Sequence, residues 1–587
     1  MKKYIFALIV IFTLNACKKQ EYKSITATKE IKNNLIKNTA ILTQQLTTLE
    51  RLAKDRSPLK TLQTQFKKTR ITYKKIESLT AFYFPETAEN MNGAAIDKND
   101  LMDSNRRLEE ASGFQKIEEL IFNSPIDLKE TQLQINILLG YTRALQSKIN
   151  NLDLSDSNIF EAQKLNLIRI MSLGITGFDS PIANYAIPET QSAITSIYRT
   201  LASYKSDSKI EQIEKKTTIY LEKNQNFNHF DRAFFITEYC IPLYKYIHHL
   251  QKELKIEANT FTSAIDFSKA SPFEEKVFNV NYFAPQYNRN PTQAQIDLGK
   301  TLFKDPILSG DNTVACTTCH LPELGYADHK VKAVSNLNNA RNTPTLLNAA
   351  LQNNLFWDSR VTYLEDQAKA VINNKNEMHG SFSTALKKLN SDKIYLKKFK
   401  ETFPNANTIT EQNLLISLAS YIRTLSPMNS KFDQYLRNKA VLSSKEKNGF
   451  NVFMGKGKCA TCHFFPLFNG SVPPLYNKTE SEVLGITTSV NSKKIDTDLG
   501  EYLITKAPLK KHAFKTPTIR NSALTFPYMH HGGFNTLEEV ISFYNNGGGK
   551  GIGLTIDNQT LPDDHLNLSD QEIKDLISFI KTLNDTY

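Results

Sequence analysis

The sequence is poor in tryptophan, cysteine, glycine and proline for its length. Its 587 residues include one Trp, six Cys, 22 Gly and 21 Pro. So little Gly and Pro excludes a collagen-like or low-complexity chain, and the 40% of hydrophobic residues excludes a disordered one. A chain that is long enough for about four domains does not need disulfides for stability, so the six Cys require another explanation.

Long apolar runs are missing as well. The run Tyr4–Leu14 has 11 residues, whereas a helix that crosses a bilayer needs about 20. Two lysines precede the run, and Leu14-Asn15-Ala16-Cys17 ends it. This order is typical of a signal peptide and resembles the lipobox of bacterial lipoproteins. We expect residues 1–16 to be a signal peptide and Cys17 to carry lipid, with an ordinary secretory signal and an incidental Cys as the alternative.

The expected location follows from this N-terminus. A lipid on Cys17 would tether the protein on the periplasmic side of the cell envelope, at the inner or the outer membrane, with the lipid as its only membrane attachment. The net charge of +12 comes from 72 Lys and Arg against 60 Asp and Glu. Because that charge is spread over a long chain, it identifies no anionic partner, and we expect no nucleic-acid binding.

The chain changes in texture near Pro272. Before it, apolar residues recur at three- and four-residue spacing, for example at Ile31, Leu35, Leu42 and Leu46, which predicts an all-helical domain over residues 17–271. After it, short helices alternate with long loops rich in Gly, Pro and Asn. Long irregular connections in a compact domain are usually functional, and a large prosthetic group would supply the core that the side chains lack.

Two short motifs in this second half carry chemistry. Both have the pattern Cys-x-x-Cys-His, in which two thiols form thioethers with haem and the His supplies an imidazole to the iron. A zinc ribbon would need a second ligand pair near each motif, and a redox pair has no use for the trailing His. The pattern therefore predicts two covalently bound haem c groups. The predicted haem-binding residues are Cys316, Cys319, His320, Cys459, Cys462 and His463, with His320 and His463 as iron ligands.

Around these motifs, residues 290–587 resemble the bacterial dihaem cytochrome c peroxidase and MauG family. The resemblance runs in order through residues 298–303, 305–309, 341–345, 356–360, 364–368, 376–378, 517–521 and 524–530. It implies a mainly α fold with two cytochrome c-like haem domains preceded by an all-helical bundle domain. The first haem domain, with the peroxidatic haem, would span residues 272–440, and the second, with the electron-transfer haem, residues 441–587.

The resemblance also implies roles for three residues of the first haem domain. Glu377 would be the acid and base for splitting the O–O bond of peroxide, and Gln367 would orient the peroxide beside it. Trp357, the only Trp, would relay electrons between the two haems. On residues alone, Glu377 could equally be a solvated carboxylate and Trp357 a core residue.

The ligands of the second haem and of a metal ion are implied in the same way. Tyr544 falls where many members have a Met ligand and MauG-like members have Tyr; the alternatives are a packed Tyr544 or ligation by Met529, His530 or His531. Asn342, Thr525 and Pro527 match positions that hold a Ca²⁺ ion. The loop 330–340 contains no His that could cap the first haem, so we expect that haem to be open. A cap by His329, which lies just before this loop, is the alternative.

The helical half carries one further motif. Residues 112–118 look like the G-x-H-x-x-E motif of imelysin-like periplasmic proteins, but Gln115 stands in the position of the motif His. An amide is a poor ligand for a transition metal. The alternative is a helical bundle that docks on the haem domains or spaces them from the lipid.

Together these features predict a dihaem cytochrome c peroxidase that reduces hydrogen peroxide to water. Its electrons would come from a small soluble donor, a c-type cytochrome or a cupredoxin. A MauG-like oxidase that modifies a protein or organic substrate is one alternative, and a non-catalytic dihaem electron carrier is another. The resemblance also admits a homodimer.

Overall fold

The computed structural model describes residues 2–259, 263–333 and 341–587, with side chains from residue 26 onward. It confirms the predicted mainly α fold. The chain forms two compact units. The first contains residues 1–97, 110–261 and 267–272, and the second contains residues 98–109, 262–266 and 273–587. The domain boundaries predicted from the sequence within the second unit stay a prediction.

The first unit is helical, and several of its helices begin at a side-chain cap. Asp127, Ser155, Asp207 and Asp231 each accept a hydrogen bond from a backbone N–H of the following turn, as a good N-cap does. Two π-helical turns, Ile170–Gly174 and Ile236–Cys240, interrupt the later helices. The helices are α1 (Lys2–Lys54), α2 (Leu59–Tyr83), α3 (Pro85–Asn92), α4 (Phe114–Phe122), α5 (Leu128–Asn150), α6 (Asp156–Arg169), α7 (Ala186–Ala202), α8 (Ser208–Lys223), α9 (Arg232–Phe235) and α10 (Ile241–Glu253).

The apolar periodicity of the sequence corresponds to the core of this unit. One face of α1 is buried and includes Ile31, Leu35, Leu42 and Leu46. Cys240 is also buried, at the end of the π-helical turn that precedes α10. The predicted signal peptide and Cys17 lie among residues 1–25, outside the described side chains, so both stay predictions. Within the described residues, no helix is long and apolar enough to cross a membrane.

The second unit has shorter helices joined by loops and by single 3₁₀ turns. Its two small sheets are antiparallel: Lys98 pairs with Glu109 in the first, and Glu482 pairs with Phe514 in the second. The strands are β1 (Lys98–Asn99), β2 (Leu108–Glu109), β3 (Ser481–Val483) and β4 (Ala513–Lys515). The helices are α11 (Gln293–Lys304), α12 (Leu364–Ile372), α13 (Phe382–Ser391), α14 (Lys393–Thr402), α15 (Glu411–Thr424), α16 (Lys431–Leu436), α17 (Ser444–Met454), α18 (Tyr502–Thr505), α19 (Leu537–Asn545), α20 (Gly548–Gly551) and α21 (Asp570–Lys581).

Two close helix pairs organise the core of the second unit, and each depends on a glycine. A Cβ atom on Gly299 of α11 would lie 1.9 Å from the Ser417 carbonyl oxygen of α15. A Cβ atom on Gly449 of α17 would lie 2.0 Å from the Asp575 carbonyl oxygen of α21. Neither distance leaves room for a side chain, so both pairs pack backbone against backbone.

The hairpin of β1 and β2 belongs to the second unit although it lies within the segment predicted to be helical. The Arg106 Nε donates a hydrogen bond to the Thr505 carbonyl at 2.7 Å, and the Leu509 N–H donates to Asn99 Oδ1 at 3.1 Å. The sequence shows only a polar stretch here, and nothing in it indicates which part of the chain the hairpin contacts.

Arg520 and Asp433 form a buried ion pair that ties the loop before Asn521 to α16. Arg520 donates two hydrogen bonds of 2.8 Å to Asp433, and one of 2.8 Å to the Pro466 carbonyl. Burial alone would raise the pKa of Asp433, but Arg520 overrides it and holds the pKa below its usual value.

We expect Arg520→Met to lower the free energy of unfolding by about 3–5 kcal/mol, because it leaves the Asp433 carboxylate buried without its partner. Chemical denaturation of the haem-loaded protein measures the change. Lys439→Met, which breaks the exposed pair with Glu275, is the control and should leave the unfolding midpoint unchanged. Equal stability of the Arg520→Met variant and the control would contradict a structural role for the pair.

Candidate active site

The two Cys-x-x-Cys-His motifs adopt the same local structure. Each begins with a 3₁₀ turn, Cys316–Thr318 and Cys459–Thr461. In each, the histidine N–H donates a hydrogen bond of 2.9 Å to the carbonyl of the first cysteine. The four thiols are free and half-buried. The turn therefore presents two unpaired thiols and one imidazole together, twice in the same unit.

Both motif histidines are oriented by a backbone carbonyl. The Nδ1 of His320 bonds to the Tyr326 carbonyl, and the Nδ1 of His463 bonds to the Pro517 carbonyl, each at 3.0 Å. Burial lowers the pKa of His320, and it lowers that of His463 to about 4. Both rings are thus neutral, with Nδ1 carrying the proton. This tautomer leaves Nε2 of each ring unprotonated, which is the form that a metal-ligating histidine needs.

The surrounding residues fit two covalent haems. Cys316 packs against the main apolar cluster of the unit, which includes Leu302, Phe303 and Leu418. Burial raises the pKa of the Cys316 and Cys459 thiols to about 12, so neither is a reactive thiolate. Burial also raises the pKa of the second thiol of each motif, Cys319 and Cys462. Two inert thiols beside one neutral imidazole in each motif suit a haem site better than a redox pair.

Glu377 is near enough to the first motif for its charge to act on Cys319. The Asn374 Nδ2 donates a 2.8 Å hydrogen bond to Glu377 Oε1. Burial raises the pKa of Glu377, and the Arg360 charge and the Asn374 bond oppose that shift. Burial and nearby charges, Glu377 among them, raise the pKa of Cys319. The half-buried carboxyl is therefore close to the motif, with a proton affinity above that of an ordinary Glu.

Gln367 lies on α12, which is held in place by a buried ion pair. Arg423 donates two hydrogen bonds of 2.8 Å to Glu365, and Asn288 Nδ2 donates one of 2.6 Å to the same carboxylate. Glu365 is fully buried, while Gln367 is half-buried two residues later. A single turn of α12 thus combines an anchored carboxylate with an amide that is free to contact a ligand.

Trp357 is hydrogen-bonded to two separate segments. Its indole Nε1 donates to the Asn342 carbonyl at 2.9 Å, and its own carbonyl accepts from the Lys515 N–H at 2.8 Å. Lys515 is buried, and its charge contributes, after burial, to the low pKa of His463. Trp357 is therefore connected through Lys515 to the surroundings of the second motif.

Tyr544 lies beside the second motif. Burial, and then the Cys462 and Cys459 thiols and Glu482, raise the pKa of Tyr544. Its hydroxyl makes no hydrogen bond to a described residue. Tyr544 is thus within electrostatic range of the two thiols of the second motif, and its role as an iron ligand stays a prediction.

The alternative ligands are engaged elsewhere. His530 Nε2 bonds to Asp496 Oδ1 at 3.0 Å, and its ring stacks on Phe514 with centroids 3.7 Å apart. His531 Nε2 bonds to the Thr487 carbonyl at 2.8 Å, and its Nδ1 accepts from the Gly533 N–H at 3.2 Å. Met529 packs against the apolar cluster of Phe534 and Phe543.

His329 is engaged in the same way, so it is no capping ligand in this structure. Its Nε2 bonds to the Leu524 carbonyl at 2.7 Å, and its ring stacks on Phe526 at 4.1 Å. The rest of the predicted loop, residues 334–340, lies outside the described residues.

The predicted calcium residues lie in neighbouring segments. The Asn342 N–H donates to the His530 carbonyl at 2.8 Å, and its side-chain Nδ2 donates to the Lys330 carbonyl at 2.8 Å. Thr525 and Pro527 come just before His530 in the chain. Among the described residues, no group of three or more His, Cys, Asp or Glu is placed to hold a metal ion. A calcium site there would depend on amide and backbone oxygens, and it stays a prediction.

In the first unit, the motif of residues 112–118 lies near a buried cation, Arg70. The Glu118 Oε1 accepts hydrogen bonds of 2.9 and 2.8 Å from the Ile182 and Ala183 N–H groups, and Gln115 Nε2 donates to the Asn92 carbonyl at 3.1 Å. Arg70 adds its charge close to Glu118. Gln115 thus acts as a hydrogen-bond donor. The Glu118 carboxyl is met by two backbone N–H groups and by the charge of Arg70.

Sequence reasoning missed Asn374, Arg360 and Lys515. Asn374 and Arg360 act on Glu377, and Lys515 acts on His463 and Trp357. Only Asn374, three residues before Glu377, leaves a local signal, since an Asn side chain reaches this distance in a turn. The other two contacts depend on how the chain folds.

Comparisons with known proteins point to one family. Residues 293–441 match the family model described as di-haem cytochrome c peroxidase. Cytochrome-c peroxidase IdrP1 of Denitromonas iodatirespirans is 34% identical over 319 residues, which cover 51% of this chain and 83% of that protein. Methylamine utilization protein MauG of Methylorubrum extorquens is 31% identical over 303 residues, 51% of this chain and 81% of that protein. The solved structure of a MauG-like protein associated with microbial copper homeostasis covers 51% of this chain and 92% of its own, with 26% identity and a TM-score of 0.46.

If Tyr544 is the sixth ligand of the second haem, Tyr544→Met should raise the reduction potential of that haem. A phenolate favours the ferric state and a thioether the ferrous state. Spectroelectrochemical titration measures both potentials. Tyr528→Met, which changes a half-buried tyrosine of the same unit, is the control and should leave both potentials in place. An unchanged potential in the Tyr544→Met variant would remove Tyr544 as a ligand.

Proposed function

Because the chain belongs to the di-haem cytochrome c peroxidase family, we propose that it reduces hydrogen peroxide to water with electrons from a small c-type cytochrome or cupredoxin. It is an oxidoreductase of the cytochrome-c peroxidase type. The observation that carries the proposal is the half-buried Glu377 carboxyl, which is held by Asn374 and whose charge acts on Cys319 of the first haem motif. A passive electron carrier has no use for such a group.

Each motif would hold one haem. Cys316 and Cys319 would attach the first, with His320 as the iron ligand. Cys459 and Cys462 would attach the second, with His463 as one iron ligand and Tyr544 as the other. When bound, the haem iron supplies the one-electron redox chemistry that no side chain offers. The reaction consumes one hydrogen peroxide, two electrons and two protons, and yields two waters.

Glu377 moves the proton. As a carboxylate it accepts the proton from one peroxide oxygen, and as the acid it returns that proton to the other oxygen, which leaves as water. The raised pKa favours this exchange, because an acid and base works best when its pKa approaches the ambient pH. Asn374 fixes the orientation of the carboxyl, so its lone pairs are directed before peroxide arrives.

Gln367 and Trp357 assist in different ways. The anchored turn of α12 holds the Gln367 amide, which donates a hydrogen bond to peroxide and keeps its oxygens in place. Trp357 would serve the electron path between the motifs, and its contacts with Asn342 and Lys515 support that role. Because the indole and the backbone carbonyl of Trp357 are both hydrogen-bonded, the ring keeps one orientation.

A MauG-like oxidase is the second candidate. It would use the same first site to oxidise a protein or organic substrate. Tyr544 beside the second motif favours it, as does the absence of a His in residues 330–340. In that case electrons would come from the substrate and no small cytochrome would be needed.

We also propose the setting in which the enzyme works. The lipobox-like sequence at Cys17 supports a lipid anchor on the periplasmic side of the envelope. The oxygens of Asn342, Thr525 and Pro527 would hold one Ca²⁺. A homodimer is the assembly that we propose from the family resemblance.

Glu377→Gln should reduce peroxide turnover about 10²- to 10⁴-fold, because an amide cannot accept the proton. Both haems should remain attached, as shown by their absorption spectra. Glu401→Gln, which changes an exposed carboxylate of α14, is the matched control and should retain full turnover. Full activity in Glu377→Gln would show that the proton is moved by another group.

A steady-state assay with a reduced small c-type cytochrome separates the two candidates. The peroxidase predicts that peroxide is consumed only while reduced cytochrome is present, with two cytochromes oxidised per peroxide. Peroxide consumption that ignores the cytochrome and depends on an added protein or organic substrate would favour the oxidase instead.

A further inference from the structure

The first unit contains a cavity with no assigned role. Its volume is about 630 Å³, within the range of small-molecule sites. It is lined by residues of α1, α2, α7 and α8, all within this unit. Ile31, Leu35, Ile71 and Leu79 give it apolar surface, and most of the other lining residues are polar. The lining includes one carboxylate, Glu222 of α8, whose Oε1 accepts a hydrogen bond of 3.4 Å from Gln191 Nε2.

Two cations reach this cavity without a carboxylate partner. Lys75 on α2 is half-buried and Arg199 on α7 is exposed. No described carboxylate lies within ion-pair distance of either. Burial, and then the charge of Arg199, lower the pKa of Lys75, so the two cations are near enough to repel each other. Lys75 and Arg199 against the single carboxylate of Glu222 leave the lining with a net positive charge, which favours a negative ligand.

The neighbouring lysine shows the contrast. Lys74 is buried and pairs with Glu77 at 2.9 Å and with Asp179 at 2.6 Å. Adjacent residues of one helix thus have different charge environments. The charge of Lys74 is compensated by buried carboxylates, whereas Lys75 lines the cavity without an ion-pair partner among the described residues. A lysine that served only to solvate α2 would not need a half-buried position beside an arginine.

Four serine and threonine hydroxyls of the cavity already donate hydrogen bonds to backbone carbonyls. Ser192 donates to the Ile71 carbonyl at 2.7 Å, and Ser196 donates to the Lys75 carbonyl at 2.8 Å. Thr195 and Thr200 donate to carbonyls of α7 at 2.9 and 3.0 Å. Their oxygens still accept hydrogen bonds, so the cavity offers cationic donors, hydroxyl acceptors and an apolar surface.

We propose that this cavity binds a small organic anion, with its carboxylate or phosphate group between Lys75 and Arg199 and its carbon body against Ile31, Leu35, Ile71 and Leu79. The hydroxyl oxygens of Ser192 and Ser196 accept hydrogen bonds from donor groups of that body. The site belongs to the first unit, so it adds a ligand-binding function to the peroxidase chemistry of the second.

Isothermal titration calorimetry of the full haem-loaded chain tests the proposal. The probes are succinate for the carboxylate and glycerol 3-phosphate for the phosphate, with succinamide and glycerol as uncharged counterparts. Saturable millimolar or tighter binding of one charged probe, and of neither counterpart, is the expected result, and the probe that binds identifies the anionic group.

Variants tie the binding to the two cations. Lys75→Met and Arg199→Met should each weaken the binding about tenfold or more, and Lys75→Arg should retain it. Lys216→Met, which removes one charge from the exposed face of α8, is the matched control and should bind as the natural chain does. Arg199 is exposed, so Arg199→Met carries the test even if a Lys75 variant fails to fold. No saturable binding of either probe, or undiminished binding in Arg199→Met, would overturn the proposal.

Discussion

The chemistry of the second unit depends on a hydrogen bond that is made twice, from a histidine Nδ1 to a backbone carbonyl. At His320 the acceptor is Tyr326, and at His463 it is Pro517. Each bond fixes the tautomer, so Nε2 is the nitrogen left for iron. Burial keeps both rings neutral. The 3₁₀ turn of each motif then sets two free thiols beside that imidazole. Together they form the site to which a haem would be attached.

Much of this arrangement could be predicted from local sequence. The motifs specify their own turns, because the residues that form each one are consecutive. The apolar repeat of α1 gave the helical core of the first unit, where Ile31 and Leu35 are buried. Glu377 and Tyr544 followed only from the family resemblance. In the structure the charge of Glu377 acts on Cys319, and the pKa of Tyr544 responds to Cys459 and Cys462, while the roles of both residues stay predictions.

Contacts between distant segments could not be read in advance. Lys515, the last residue of β4, donates its N–H to the Trp357 carbonyl and its charge adds to burial in lowering the pKa of His463, and no spacing in the sequence encodes either contact. The hairpin of β1 and β2 packs with residues about 400 positions later. In the first unit, Lys74 forms an ion pair with Asp179, which lies 105 residues later in the sequence. These are tertiary contacts between residues far apart in the chain, and they cannot be predicted from a single sequence.

The central claim is that the chain holds one open haem and one closed haem. Electron paramagnetic resonance of the oxidised protein tests it most directly, since it separates high-spin from low-spin ferric iron. The account predicts one high-spin signal, from the haem that His320 would hold, and one low-spin signal, from the haem that His463 and Tyr544 would hold. Two low-spin, six-coordinate signals would contradict it.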